Sequence, residues 1–232
     1  MDMEINVSGI IIEVRKKKIK NMYLSVKPPE GKVTISAPLS MKRGAIEAFA
    51  RSKIDWMIAQ KKKYENYPKA ADRQYVSGEI LYFWGKPYLL LLQEKGGKNS
   101  LELSEGRAVL TMRGNSTVKQ REAYIRERYR AMLKEEIASL LPKWEVLTGL
   151  RCCSWHTKYM TTRWGTCNTA KKRLWFNVQL AEKPVECLEY VILHELAHTK
   201  VSNHGAEFVA VMDEYMPMWR EVKKRLNTFA IQ

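Results

Sequence analysis

Val191-Ile192-Leu193-His194-Glu195-Leu196-Ala197-His198-Thr199-Lys200-Val201-Ser202-Asn203-His204 is the stretch from which the rest of the chain is read. It holds three of the four histidines in the 232-residue sequence, two of them in an H-E-x-x-H pattern. On a helix, residues four apart project from one face about one turn from each other, so His194 and His198 face the same way. Two imidazoles so placed can bind one ion at Zn–N distances of about 2.0–2.1 Å. Glu195 is rotated from His194 by about 100°, beside such an ion rather than on it. Its carboxylate is then placed to take a proton from a water that the ion polarises. The spacing predicts a metal site.

Two imidazoles do not complete one. His204 follows His198 by six residues, past Ser202-Asn203, which reads as a helix-ending turn because asparagine tolerates the left-handed conformation. His204 is the expected third ligand, leaving a fourth position for water, and the expected metal is one zinc ion per chain. A carboxylate from the following helix, Asp213 or Glu214, is the alternative. The metzincin spacing H-E-x-x-H-x-x-G-x-x-H is the same, but Val201 stands at its glycine position, so the turn must be made differently. Three imidazoles leave no need for Cys167, and His156 is expected on a strand without a metal role.

Around this stretch, Pro184 marks a helix start, and Val185, Leu188, Val191, Ile192 and Leu196 recur at helical spacing, an apolar stripe for the core. Beyond His204, Phe208, Val211 and Tyr215 fit one face of another helix, which Pro217 interrupts. Residues 153–160 and 173–178 read as strands, with 161–172 connecting them. That connection carries Arg163 and Trp164, candidates for substrate binding. Arg163 suits an anionic group or a developing oxyanion, and Tyr215 suits a hydrogen-bond donor to the transition state. A salt bridge, a hydrophobic turn and core packing are the competing roles for these three.

Toward the N-terminus, 5–14, 19–27 and 33–37 read as short antiparallel strands around the basic turn Arg15-Lys16-Lys17-Lys18, with a break at Pro28, Pro29 and Gly31. Residues 40–64 read as one helix, with Ser40 as N-cap and Lys61-Lys62-Lys63 at its C-terminal end. Two hairpins follow, over 79–93 through Gly85-Lys86-Pro87 and over 99–112 around Glu105-Gly106. Gly114-Asn115-Ser116 marks a boundary, and 117–141 form a long amphipathic helix closed by Pro142. Its outer face carries Lys119, Arg121, Arg126, Arg128, Arg130 and Lys134. Glu122, Glu127, Glu135 and Glu136 interrupt them, favouring a solvated face over an anion-binding stripe. No internal repeat is legible. The expected class is α+β: residues 1–114 a mostly antiparallel β region with one helix, and 115–232 a metal-dependent hydrolase domain.

Forty Lys and Arg against 25 Asp and Glu give a formal net charge of +15. Such a field attracts nucleic acid, nucleotides, acidic protein segments or anionic membrane surface without selecting one. No run approaches the roughly 20 apolar residues of a membrane span, and no signal-peptide pattern is present. The four cysteines lack disulfide-scaffold spacing. A cytoplasmic protein with free thiols is expected.

Arg163-Trp164-Gly165-Thr166-Cys167, the segment 174–180, the H-E-x-x-H residues, Asn203-His204, Phe208 and Tyr215-Met216-Pro217 resemble the YgjP-like metallopeptidase domain family. That family is similar to the SprT-like and WLM zinc proteases. Thr166 stands where the family often has serine, and Trp175-Phe176 replaces a less aromatic pair. The resemblance implies a zincin-like C-terminal domain, three histidine ligands, a catalytic glutamate at Glu195, and an extended peptide lying along a strand, here 173–178. The expected function is zinc-dependent cleavage of a peptide or protein. Two alternatives stand beside it. One is hydrolysis of a nucleotide or other phosphoanhydride near Arg163 and Lys171-Lys172-Arg173. The other is a nucleic-acid-associated protease or binding protein, although no helix-turn-helix or zinc-finger spacing is present.

Overall fold

In β2 (Ile10–Lys17), Ile10, Ile12 and Val14 are buried and Ile11 is exposed, the two-residue period of a strand with one face on a core. It belongs to a sheet with β1 (Asp2–Val7), β3 (Tyr23–Lys27) and β4 (Lys32–Pro38), ordered β1-β2-β4-β3. The structure is a computed structural model that describes residues 2–27, 31–65, 73–229 and 231, so the break expected at Pro28-Pro29 lies outside the described residues. Ser8 and Gly9, at φ 52° and 80°, make the two-residue turn that interrupts the strand expected over 5–14. Where one helix was expected over 40–64 there are two, α1 (Arg43–Arg51) and α2 (Ile54–Glu65). The break at Ser52-Lys53 lets Ile46 and Ala50 from one helix and Met57 from the other reach the core beneath the sheet. The N-cap is Lys42, without a side-chain bond, rather than Ser40.

The chain forms two compact units, Met1–Ala71 and Asp72–Gln232. The second opens with β5 (Ile80–Phe83), β6 (Lys86–Glu94), β7 (Ser100–Ser104) and β8 (Arg107–Met112), ordered β5-β6-β8-β7. Strand for strand this repeats the first sheet: two hairpins whose second strands pair in parallel, β2 with β4 and β6 with β8. Each sheet is therefore antiparallel at two of its three pairings. The repeat escapes a reading of the sequence because a strand's pattern records which face is buried, not which strand lies beside it.

Helix α3 (Val118–Thr148) starts at a capping box between Thr117 and Gln120 and ends at Gly149, whose φ is 68°. It runs through Pro142 instead of closing there, because Leu140, Leu141 and Trp144 on either side all pack on the core. Its buried residues Ile125, Tyr129, Leu133 and Ile137 recur every fourth position. They share one core with Leu81, Phe83, Leu90 and Leu110 of the second sheet and with the H-E-x-x-H helix. The second sheet, the long helix and the H-E-x-x-H helix therefore all lie in the second compact unit.

A third sheet contains β9 (Ser154–Lys158), β10 (Gly165–Asn168) and β11 (Arg173–Asn177), ordered β10-β11-β9. β10 lies inside the segment expected to be a connection. It is four residues long with no alternation of burial, too short for a period to register. β11 has a partner on each side, antiparallel β10 and parallel β9, so it cannot accept a further strand as the reading of 173–178 required. The edge strands are β10 and β9, and Gly165, Thr166 and Cys167 of β10 line the cleft described below. A 3₁₀ turn (Val178–Glu182) leads to α4 (Val185–Ala197), α5 (Ala206–Tyr215) and α6 (Trp219–Thr228). Among the described residues no helix is long and apolar enough to cross a membrane.

The β5–β6 turn docks on the entry to α4, with the Trp84 and Gly85 N–H groups donating to the carbonyls of Ala181 (2.9 Å) and Glu182 (3.2 Å). Gly85 and Gly106 occupy equivalent turns at φ 77° and 75°, but a Cβ at Gly85 would lie 2.7 Å from Pro184 Cγ whereas one at Gly106 meets nothing within 4 Å. Both Gly→Ala changes incur a left-handed backbone cost of about 1–2 kcal/mol. Gly85→Ala is expected to lose a further 1–3 kcal/mol or so from overpacking, measured by urea denaturation. Equal losses at the two positions would contradict the docked turn.

Candidate metal centre

Helix α4 buries Cys187, Leu188, Val191, Ile192 and Leu196, which fixes its rotation and leaves His194 and His198 half-buried on another side. It ends at Ala197, with His198 as C-cap, before the Ser202-Asn203 turn that the sequence suggested. The N–H groups of Thr199, Lys200 and Val201 bond back to the carbonyls of Leu196 and Ala197. Val201, at the metzincin glycine position, needs no left-handed backbone. Its side chain is 6% exposed, and its carbonyl accepts a bond from His198 Nδ1 at 2.9 Å. Asn203 is not left-handed either; its Oδ1 accepts from the Gly205 N–H at 3.0 Å just before α5 begins. This path carries His204 back over the end of α4.

The three imidazoles converge. His204 Nε2 lies 3.1 Å from His194 Nε2 and 3.2 Å from His198 Nε2. Tetrahedral ligands at about 2.0–2.1 Å from an ion stand roughly 3.3–3.4 Å from one another, so the donor set fits a small divalent cation. With the His198 Nδ1–H donated to Val201, its Nε2 carries the lone pair. His194 Nδ1 faces the Tyr190 hydroxyl at 3.4 Å. Phe208, 2% exposed, packs against all three rings with centroids 4.7 to 5.0 Å away. Asp213 is engaged elsewhere, accepting from Trp219 Nε1 at 2.7 Å and from Arg220. Among the described residues the group of converging metal-ligating side chains is His194, His198 and His204; Glu214 and Cys167 do not join it. His156 stacks on Trp175 at 4.7 Å, away from the cluster.

Burial, reinforced by the neighbouring His198, His204 and Lys223, pushes His194 down to about 3 and keeps it neutral, the form that ligates metals. Glu195 is 5% exposed. Burial pushes its carboxyl up to about 8, opposed by the Arg163 guanidinium. Gly165 of β10 packs directly on it: a Cβ there would lie 2.5 Å from Glu195 Oε1 and 2.8 Å from Val191 Cγ1. A cleft of about 470 Å³ opens over these groups, lined also by Arg163, Trp164 and Tyr190, and by Lys223 of α6.

Asn177, wholly buried at the end of β11, suspends the cleft wall. Its Nδ2 donates to the carbonyls of Met160 and Arg163, both at 2.9 Å, and its own N–H donates to the Trp164 carbonyl at 2.9 Å. The structure places Arg163 and Trp164 on the cleft lining, whereas Tyr215 packs half-buried on the core. Tyr190 and Lys223 were missed, as was the packing of Gly165 on Glu195. Tyr190 had a signal, lying one helical turn before His194 on the same face. Lys223 had none, since its approach depends on how α6 packs on α4.

The family described as YgjP-like, metallopeptidase domain matches residues 20–229. Two solved structures share part of the chain. The metallopeptidase zymogen of Methanocaldococcus jannaschii jannalysin is 23% identical, with 40% of this chain and 94% of that one covered at a TM-score of 0.36. The metallopeptidase zymogen of Pyrococcus abyssi abylysin is 18% identical, with 40% and 92% covered at 0.37. No curated protein matches.

The raised Glu195 carboxyl has a thermodynamic signature. Its value of about 8 exceeds the ordinary 4.5, so the folded state holds this proton more tightly. The associated stability is full below about pH 4.5 and is lost as pH rises through 8. In chelator-treated protein, wild type is expected to lose a few kcal/mol relative to Glu195→Gln between pH 5 and 9, read from thermal melts. The His194 contribution is present in both proteins and cancels. A difference independent of pH would contradict the buried, proton-holding carboxyl.

Proposed function

This chain belongs to the YgjP-like metallopeptidase family, and on that premise we propose that it hydrolyses peptide bonds with one zinc ion held by His194, His198 and His204 and with Glu195 as general base. The observation that carries the reading is the convergence of three Nε2 atoms at 3.1 and 3.2 Å on one α-helix end, with a buried carboxyl beside it. A neutral three-nitrogen donor set with an open side is the preference of catalytic zinc. When bound, that ion supplies Lewis acidity toward water and the scissile carbonyl.

The protein's own groups do the remaining work. Glu195 accepts the proton of the attacking water and delivers it to the departing nitrogen. The Glu195 carboxyl, held up at about 8 by burial, would fall toward the working range beside a bound dication. The Val201 carbonyl and the Tyr190 hydroxyl orient the His198 and His194 rings through their outer nitrogens. Arg163 lines the cleft and is suited to the charge that develops on the carbonyl oxygen. The free edge of β10, which replaces 173–178 in this role, offers its backbone groups to an extended peptide.

The phosphoanhydride alternative called for cations gathered around Arg163. Lys171, Lys172 and Arg173 do not line the cleft, and Arg173 Nε instead donates to Ser154 Oγ at 3.3 Å. The four cysteines are free thiols, with Cys152 and Cys167 pushed up to about 11 by burial. That state suits the reducing cytoplasm, where we place the enzyme.

Purified protein is expected to hold about one equivalent of zinc by elemental analysis, and His198→Ala to hold far less. Glu195→Gln is expected to keep its metal while peptide turnover falls by about 10²–10⁴-fold. Undiminished metal in a triple histidine replacement, or undiminished turnover in Glu195→Gln, would overturn the assignment.

A further inference from the structure

The repeated sheet topology places the same corner in each unit. Because β2 and β4 run parallel, from Ile12 beside Val33 to Lys17 beside Pro38, the loops that follow them emerge together. Lys16 Nζ donates to the Leu39 carbonyl across the two loops at 3.4 Å. In the second unit β6 and β8 run parallel from Leu89 beside Arg107 to Glu94 beside Met112. There the Arg113 N–H donates to Asn99 Oδ1 at 3.1 Å and Arg113 Nε donates to the Gly97 carbonyl at 3.2 Å. Both corners lead into a helix, α1 or α3.

Both corners are also basic. The first gathers exposed Lys17, Lys18, Lys20, Lys42 and Arg43, and the nearby acid Glu47 pairs with Arg43. The second gathers exposed Lys95, Lys98, Arg113 and Lys119, and its nearby acid Glu94 is taken up by the Ser116 N–H and hydroxyl. The outer face of α3 differs. Arg126 pairs with Glu122 at 2.8 Å and stacks on Tyr159, and Arg130 pairs with Glu127 at 3.1 Å. Two of its cations are thus answered within the helix, and Arg121, expected on that face, is buried against the Gln74 and Ser116 carbonyls, whereas the corners leave most of their charge to solvent. At the second corner a groove of about 740 Å³ is lined by Lys98 and Arg113, by Asn99, Asn115, Ser116 and Gln120, and by Met112, Ala123 and Tyr124. Cations mixed with amides and hydroxyls are the groups that contact the phosphates and sugars of a nucleic acid. A lipid surface calls instead for several large apolar side chains projecting beside the cations; in the second groove Met112 is buried and Tyr124 donates its hydroxyl to the Asn99 carbonyl, and beside the first corner Leu39 is exposed.

We propose that each of these two loop-pair corners binds the phosphodiester backbone of a nucleic acid, independently of the peptidase cleft. The test is fluorescence anisotropy of the full-length protein with a labelled single strand and a duplex at several salt concentrations. Lys17→Glu/Lys18→Glu/Lys20→Glu and, separately, Lys98→Glu/Arg113→Glu are compared with Lys143→Glu/Arg151→Glu/Lys224→Glu, exposed positions outside both corners. Each corner variant is expected to bind about tenfold or more weakly, with the log–log salt slope reduced by about 2–3. The control is expected to change by less than about threefold, since charges beyond about 10 Å are screened. The same positions changed to Gln give the same ranking if a charge reversal perturbs folding, which circular dichroism melts report. Equal loss in the control, or tighter binding to phosphatidylserine vesicles than to nucleic acid at equal phosphate, overturns the proposal.

Discussion

Three imidazole nitrogens meet 3.1 and 3.2 Å apart at the end of one helix. The single N–H of a neutral ring can be aimed well at only one of these two contacts, and burial disfavours a second proton on His194, whereas one cation can take a lone pair from all three rings. The surroundings accordingly read as supports for one geometry. The apolar stripe of α4 sets the rotation of His194 and His198, the Val201 carbonyl holds the second ring, and Phe208 packs against all three. A peptidase site needs the same rigidity, because ligand rings free to turn weaken the ion they hold.

A second constraint works from the opposite side. Gly165 brings the β10 backbone against Glu195 where any side chain would collide, and Asn177 ties the loop ahead of it to β11. Burial of the carboxyl follows from that close approach, and its raised proton affinity follows from the burial. The proposed substrate edge and the proposed general base are thus set by one short strand. The first unit takes no part in this geometry as described, yet it repeats the sheet order and the basic corner of the second.

How much of this was readable in the residues depended on range. The metal helix was legible because histidine spacing and the apolar stripe of α4 are both local, helical signals, and the position of His204 six residues on limited where it could lie. The hairpins at Gly85 and Glu105-Gly106 were legible from turn chemistry, each with consecutive positive φ angles. What escaped was set by partners distant in sequence. β10 shows no alternation of its own and exists because β11 pairs with it, and that pairing moved the open edge away from 173–178. The helix expected to close at Pro142 continues because core contacts on both sides outweigh the lost hydrogen bond. Tyr215 carried two readings in the residues, a donor to the transition state or core packing, and it packs half-buried against the core.

The central claim is the identity of the atoms around the ion, and zinc K-edge absorption on the zinc-loaded, full-length protein reads them directly. Three imidazole nitrogens at about 2.0–2.1 Å with one further oxygen are predicted. A sulfur scatterer at about 2.3 Å, drawing in Cys167, or a shell with only two imidazoles would contradict it.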